Sequence, residues 1–128
     1  MTEALYQQAL EARERAFAPY SKFKGGAALL AESGRVYTGC NGENASWGLT
    51  ICAERVAIFK AMSEGERVFR EIWVVADSPR LTPPCGACRQ IIWEFCRDVP
   101  VILADLPGTR AEYRMSQLLP EPFDDSCL

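Results

Sequence analysis

Histidine is absent from the 128 residues. That removes Ser-His-Asp and Cys-His nucleophilic catalysis, and with them the commonest ligand of transition metals. Any general base here is a carboxylate, a lysine, a tyrosine or a cysteine, and any zinc site is built from thiolates and carboxylates. Basic charge is also short, with 14 Lys and Arg against 17 Asp and Glu. Lys22, Lys24, Arg110 and Arg114 are scattered and form no stripe with aromatics. This argues against nucleic acid as a partner, because phosphates are neutralised by clustered cations. A neutral small molecule suits such a surface better. Long apolar runs are missing too: residues 27–31 and 72–76 fall far below the roughly 20 residues of a membrane span. The N-terminal MTEALYQQALEARERAF is charged and amphipathic and lacks the apolar core of a secretory leader. The chain reads as cytoplasmic, with no membrane partner.

What is present describes a globular chain. Hydrophobic residues make up 48% and charged residues 24%, close to average globular values. The length fits one domain over residues 1–128 that buries roughly two-thirds of its unfolded surface. Thr2 is placed to cap a helix with Leu5, Ala9, Ala12 and Ala16 on its apolar face, ending before Pro19. A turn-rich stretch at 19–26 leads to strands at 27–31 and 35–40, joined by Glu32-Ser33-Gly34. Residues 41–50 read as loop. A helix is expected over 52–64, closed by Gly65, then a buried strand over 71–77. Pro79, Pro83 and Pro84 break the chain, with Pro84 opening a helix over 85–97. Strands at 99–104 and 111–115 and a helical turn at 116–119 complete the order. It implies an α/β fold, a three-layer α/β/α domain around a five-stranded mixed sheet. The front hairpin is antiparallel and the β-α-β unit parallel and right-handed.

Six cysteines in such a chain are more often thiols or metal ligands than disulfides. Cys85-Gly86-Ala87-Cys88 places two thiols on one face of a helix's first turn. Alone, that spacing also suits a redox pair or half a structural zinc site. Cys52 supplies a third thiol at the start of the earlier helix. That helix carries the chain away by roughly 20 Å, and the following strand returns it by about 23 Å. Two helix N-termini then lie side by side, and three sulfurs at about 2.3 Å from one zinc ion become feasible. Three thiolates outweigh the charge of Zn²⁺, and helix N-termini, each equivalent to about half a positive charge, offset part of the excess. Arg55 and Arg89 each follow a ligand closely enough to donate a hydrogen bond to sulfur.

A structural zinc site uses four protein ligands, whereas a catalytic one uses three and leaves a position open. Of the remaining cysteines, Cys96 is more than two turns beyond Cys88 and Cys127 lies in the tail. Cys40 is the only contender for a fourth ligand, and a small buried hydrophobe is its better role. Glu54, two residues after Cys52, is placed to move protons beside the metal. A lone helix-start glutamate is more often a solvated surface group. The combination with the cysteine spacing reverses that reading.

Cys52-Ala53-Glu54 with Pro84-Cys85-Gly86-Ala87-Cys88 resembles the zinc-deaminase signature, in the form where cysteine replaces histidine as first ligand. The likeness to small homotetrameric cytidine deaminases extends through Ala18-Pro19-Tyr20-Ser21-Lys22-Phe23, Gly26-Ala27-Ala28-Leu29, Gly39-Cys40-Asn41, Glu43-Asn44-Ala45-Ser46, residues 51–61 and Leu118-Leu119-Pro120. The resemblance implies one zinc ion per subunit on Cys52, Cys85 and Cys88, with Glu54 as acid and base. It implies hydrolysis of cytidine and deoxycytidine to uridine and deoxyuridine with loss of ammonia, as in pyrimidine salvage. Asn41 and Glu43 would hold the ribose, and their separation by two points both to one side of an extended segment. Phe23 would pack on the base and Ala53 offer its backbone to the base edge. Phe123 and Trp47 would belong to sites shared between subunits of a homotetramer. Gly25 and Gly42 stand where the family usually has branched aliphatics, and Trp47 where tyrosine is common. The lost volume at the glycines would make room for the indole. A modified cytosine nucleoside as substrate, or a non-catalytic structural zinc module, are the alternative readings.

Overall fold

The computed structural model describes residues 2–128. Five strands form one mixed sheet: β1 (Gly25–Ala31), β2 (Val36–Cys40), β3 (Phe69–Ala76), β4 (Pro100–Ala104) and β5 (Arg110–Arg114). Their spatial order is β2-β1-β3-β4-β5. β1 pairs antiparallel with both β2 and β3, β3 and β4 run parallel, and β4 pairs antiparallel with β5. The helices are α1 (Thr2–Arg13), α2 (Ala53–Ser63), α3 (Gly86–Cys96) and the short α4 (Met115–Leu118). None is long and apolar enough to cross a membrane.

The three layers follow from strand alternation. Ala28, Leu30, Trp73, Val75, Ile102 and Ala104 face α1 and pack with Leu5, Tyr6 and Ala9. Ala27, Leu29, Ile72, Val74, Val101 and Leu103 face the other way and pack with Ala57, Ile58, Ile92 and Met115. β1 and β3 lie inside the sheet with helices on both faces, which is why their sequences are apolar runs rather than alternating ones.

Several boundaries differ from the sequence expectation. Thr2 lies inside α1 and is not its cap. Cys52 and Cys85 are not the first helical residues of α2 and α3 but their N-caps, with extended backbone angles. Pro84 accordingly precedes the cap of α3 instead of opening the helix. The stretch 41–50 is not wholly irregular: Trp47–Leu49 forms a 3-10 turn, and Gly42 bridges to Phe17 and Ile51. A second 3-10 turn, Asp125–Cys127, carried no sequence signal. Gly65 does adopt the left-handed conformation expected of it, with φ 94°.

Placement of α2 depends on small residues. Ala53, Ala57 and Ala61 form a buried stripe on it, and β2 meets that stripe at Gly39. A Cβ on Gly39 would stand 2.4 Å from the Ala53 carbonyl oxygen and 2.7 Å from the Ala57 nitrogen, both main-chain atoms. Such a clash can be relieved only by moving the helix. Gly39→Ala is therefore expected to lower the unfolding free energy by about 3 kcal/mol, the upper end for overpacking. Gly48→Ala, where a Cβ meets nothing within 4 Å, should change it by less than about 0.5 kcal/mol. Urea denaturation of the two variants beside the wild type measures both.

Candidate metal centre and adjoining cavity

Because Cys52 and Cys85 are N-caps, their side chains stand ahead of the first turns of α2 and α3, and neither makes a side-chain capping bond. Both sulfurs are thus left free where helix N–H groups converge and favour negative charge. Cys88, in the first turn of α3 and fully buried, completes the set. The three Sγ atoms lie within 4.8 Å of one another, and the Cys52–Cys85 separation is 4.0 Å. Tetrahedral bonds of about 2.3 Å to zinc require sulfur–sulfur separations of about 3.8 Å. The donor set therefore fits zinc in size, softness and charge.

Hydrogen bonding from Cys88, assisted by Arg55, pulls the Cys52 thiol down to about 5, against the opposing effect of burial. The same shared proton and burial push the Cys88 thiol up. Of this pair Cys52 ionises first. The Arg55 Nη2 donates to Cys52 Sγ at 3.5 Å, as its position suggested. Arg89 does not do the same. Its Nε donates to the Pro84 carbonyl at 2.7 Å and its Nη1 to the Leu118 carbonyl at 2.8 Å. The reason is geometric: these two carbonyls take up its guanidinium, and it makes no bond to sulfur.

Glu54, in the first turn of α2, is the buried charged residue of the described chain, 6% exposed. Burial pushes its carboxyl up to about 7, and the Cys52 thiolate adds to the effect, against its own backbone N–H and Arg55. It lines a cavity of about 230 Å³ with Phe23, Asn41, Glu43, Ala53, Cys52 and Cys85. Sequence reasoning brought these residues together. It did not foresee Thr50, Ile51, Val74, Thr82 and Pro83 as further walls, for a cavity wall made of strand ends and loops has no periodic signature.

The polar rim is held largely by main-chain groups. Asn41 Oδ1 accepts from the Gly25 N–H at 2.8 Å, and its Nδ2 donates to the Phe23 carbonyl at 2.8 Å. One acceptor lone pair and one donor hydrogen remain. Glu43 accepts from the backbone N–H groups of Tyr20 and Ser21 at 2.9 and 3.1 Å, and from the Ser21 hydroxyl. The Ser21 hydroxyl, aided by those N–H groups, holds the Glu43 carboxyl below the usual range, so it stays an ionised acceptor. The turn-rich stretch at 19–26 was legible; that its N–H groups at Tyr20 and Ser21 converge on Glu43 was not.

Trp47 and Phe123 stand apart from this cavity. Trp47 is 75% exposed and lines an adjoining recess with Tyr20, Ser21, Glu43, Asn44, Thr50 and Arg55. Phe123 is exposed, its carbonyl held by Gln90. The indole also does not come within 4 Å of where a Cβ on either glycine would stand. A Cβ on Gly42 would meet only Ile51 within 4 Å, and one on Gly25 only Asn41 and Phe23.

Three sulfurs, a buried carboxyl and a small adjoining cavity define the class: a mononuclear metal site with three protein ligands, suited to hydrolysis. Residues 1–104 match the family model described as the cytidine and deoxycytidylate deaminase zinc-binding region. The chain is 52% identical over 122 residues to a cytidine deaminase of Sporosarcina psychrophila, covering 94% of this chain and 90% of that protein. It is 53% identical over 122 residues to one of Halalkalibacterium halodurans, covering 94% and 92%. The crystal structure of cytidine deaminase from Burkholderia pseudomallei superposes with a TM-score of 0.93 at 44% identity, over 96% of this chain and 99% of that one. The chain belongs to the zinc-binding cytidine and deoxycytidylate deaminase family, and zinc is its metal.

Each of Cys52→Ser, Cys85→Ser and Cys88→Ser is expected to purify with far less than one zinc per chain by elemental analysis. Cys40→Ser should keep its zinc. Loss of zinc from Cys40→Ser would mean a closed, four-cysteine structural site.

Proposed function

We propose that the protein hydrolyses cytidine and deoxycytidine to uridine and deoxyuridine with release of ammonia, as a pyrimidine-salvage enzyme acting in the cytoplasm. The observation that carries this reading is Glu54, a buried carboxyl beside three clustered sulfurs on the wall of a nucleoside-sized cavity. Zinc held by Cys52, Cys85 and Cys88 supplies a water of lowered pKa and a Lewis acid. Glu54 accepts a proton from the attacking water through its carboxylate and passes it to N3 of the cytosine ring as the oxygen bonds to C4. It later carries the second proton to the exocyclic nitrogen, which leaves as ammonia while the C4 carbonyl forms. A carboxyl lifted by burial is suited to both directions of transfer.

The other residues bind and orient. Phe23 packs on the pyrimidine, and the Ala53 backbone meets the base edge. Glu43, held ionised, accepts from a ribose hydroxyl, and Asn41 uses its remaining donor and acceptor on the sugar. Arg55 lowers the charge density at Cys52. In this reading residues 1–128 work as one deaminase domain. Phe123 and Trp47, exposed on the single chain, serve sites completed by neighbouring copies in a homotetramer. A polyanionic substrate is disfavoured by the net charge of −3.

Ammonia release and the ultraviolet change, followed with cytidine, deoxycytidine and 5-methylcytidine, test the substrate class. Turnover of the first two establishes it; exclusive turnover of the third would replace it with a modified nucleoside. Glu54→Ala should retain zinc and lose at least about 10⁴-fold in kcat, the upper range for general acid–base catalysis. Wild-type turnover in that variant would sink the mechanism.

A further inference from the structure

α3 carries two of the three sulfurs, and the C-terminal segment is strung along one side of it. Arg89 donates to the Leu118 carbonyl, and Gln90 Nε2 donates to the Phe123 carbonyl at 2.6 Å. Trp93 Nε1 donates to Asp124 Oδ2 at 2.8 Å, and Arg97, the C-cap, pairs with Asp125 at 3.9 Å. At about 100° per residue, positions 89, 90, 93 and 97 fall within one arc of about 100°. The contacts are in register: the start of the helix meets Leu118 and its end meets Asp125. Two acceptors are main-chain carbonyls, so the path of the segment is held as well as its side chains.

Arg89 is where this docking reaches the metal site. It follows Cys88 directly, and its second hydrogen bond goes to the Pro84 carbonyl, in the peptide that leads into Cys85. The guanidinium is a rigid planar fork, so its two acceptors cannot shift independently. One guanidinium thus ties the Leu118 carbonyl to the peptide that presents Cys85.

We propose that Arg89 is a positioning residue that couples the Pro84–Cys85 turn to segment 118–125, so that the docked segment restrains metal release. This rests on the three-thiolate zinc site of the proposed function and adds to it a role for a part of the chain remote from the sulfurs.

Zinc transfer from the purified holoprotein to excess colorimetric chelator tests the coupling without reference to deamination. Arg89→Ala should release zinc about tenfold faster, the lower range for loss of a supporting contact at a metal site. Trp93→Phe keeps the ring and loses only the N–H donated to Asp124; release should quicken about threefold, the worth of one hydrogen bond, with kcat per bound zinc unchanged. Arg89→Lys can span one carbonyl but not both, and should fall between wild type and Arg89→Ala. In the cobalt-substituted protein, Arg89→Ala should also alter the thiolate-to-metal absorption. Wild-type release rates in both Arg89→Ala and Trp93→Phe would overturn the proposal, as would full restoration by lysine, which would assign the effect to charge alone. If Arg89→Ala does not fold, Trp93→Phe decides. A wild-type protein that binds no zinc would overturn this inference together with the metal site itself.

Discussion

Three ionised sulfurs cannot be brought together without something to oppose their repulsion. At 4 Å and an effective dielectric of 20, each pair costs about 4 kcal/mol. A divalent cation offsets this when bound, but the surrounding protein must present the sulfurs together to receive it. Much of the fold bears on that requirement. Two helices begin side by side, each with a cysteine at its cap, so that unpaired N–H groups face the sulfurs. Arg55 adds a full positive charge at Cys52. The alanine stripe of α2 and the bare backbone of Gly39 let that helix sit close enough on the sheet for its first residue to reach the second helix's territory. The parallel pairing of β3 with β4 fixes where α3, which connects them, has to start.

The same surroundings sort two carboxyls into opposite tasks. Glu54 and Glu43 line one cavity, yet their proton affinities are driven apart. Glu54 is enclosed beside a thiolate and rises; Glu43 is bound by a hydroxyl and two N–H groups and falls. Environment, not residue type, sets the two proton affinities apart, as the proposed roles of proton carrier and fixed acceptor require. In the proposed mechanism, in a chain without histidine, this separation stands where an imidazole otherwise would.

The chemistry-bearing residues were legible because their spacing is local or follows from element lengths. Cys85 and Cys88 share a helical turn, and Cys52 was recoverable by counting a helix out and a strand back. Glu54 was legible from its distance to Cys52, and the mixed sheet from the order of apolar runs. What escaped depends on direction rather than order. Composition marks where a helix begins only to within a residue or so, and that residue decides whether Cys52 is a cap with a free sulfur or part of the helix. Arg89 sits beside a ligand in sequence, but its long side chain turns away to two carbonyls, one of them contributed from position 118. The supports of Glu43 come from backbone N–H groups, which every residue except proline carries and which therefore leave no mark in a sequence.

The aromatic residues around the cavity mouth bear on how the site is closed. Phe23, Tyr20 and Trp47 are between 41% and 75% exposed, and they line the cavity or the recess beside it. Scattered exposed apolar residues are ordinary, but a group gathered at the entrance to a polar site leaves hydrophobic surface wet where chemistry needs water controlled. The raised proton affinity of Glu54 depends on a water-poor environment, since solvation would return its carboxyl to an ordinary value. A cavity with its aromatic rim open to solvent meets that need only in part. Packing of a second copy over this rim would exclude the remaining water and bury Trp47. It would also give an exposed aromatic such as Phe123 a place to insert, which its own chain does not offer. The exposed aromatic rim is the physical feature of the single chain that the proposed assembly would account for.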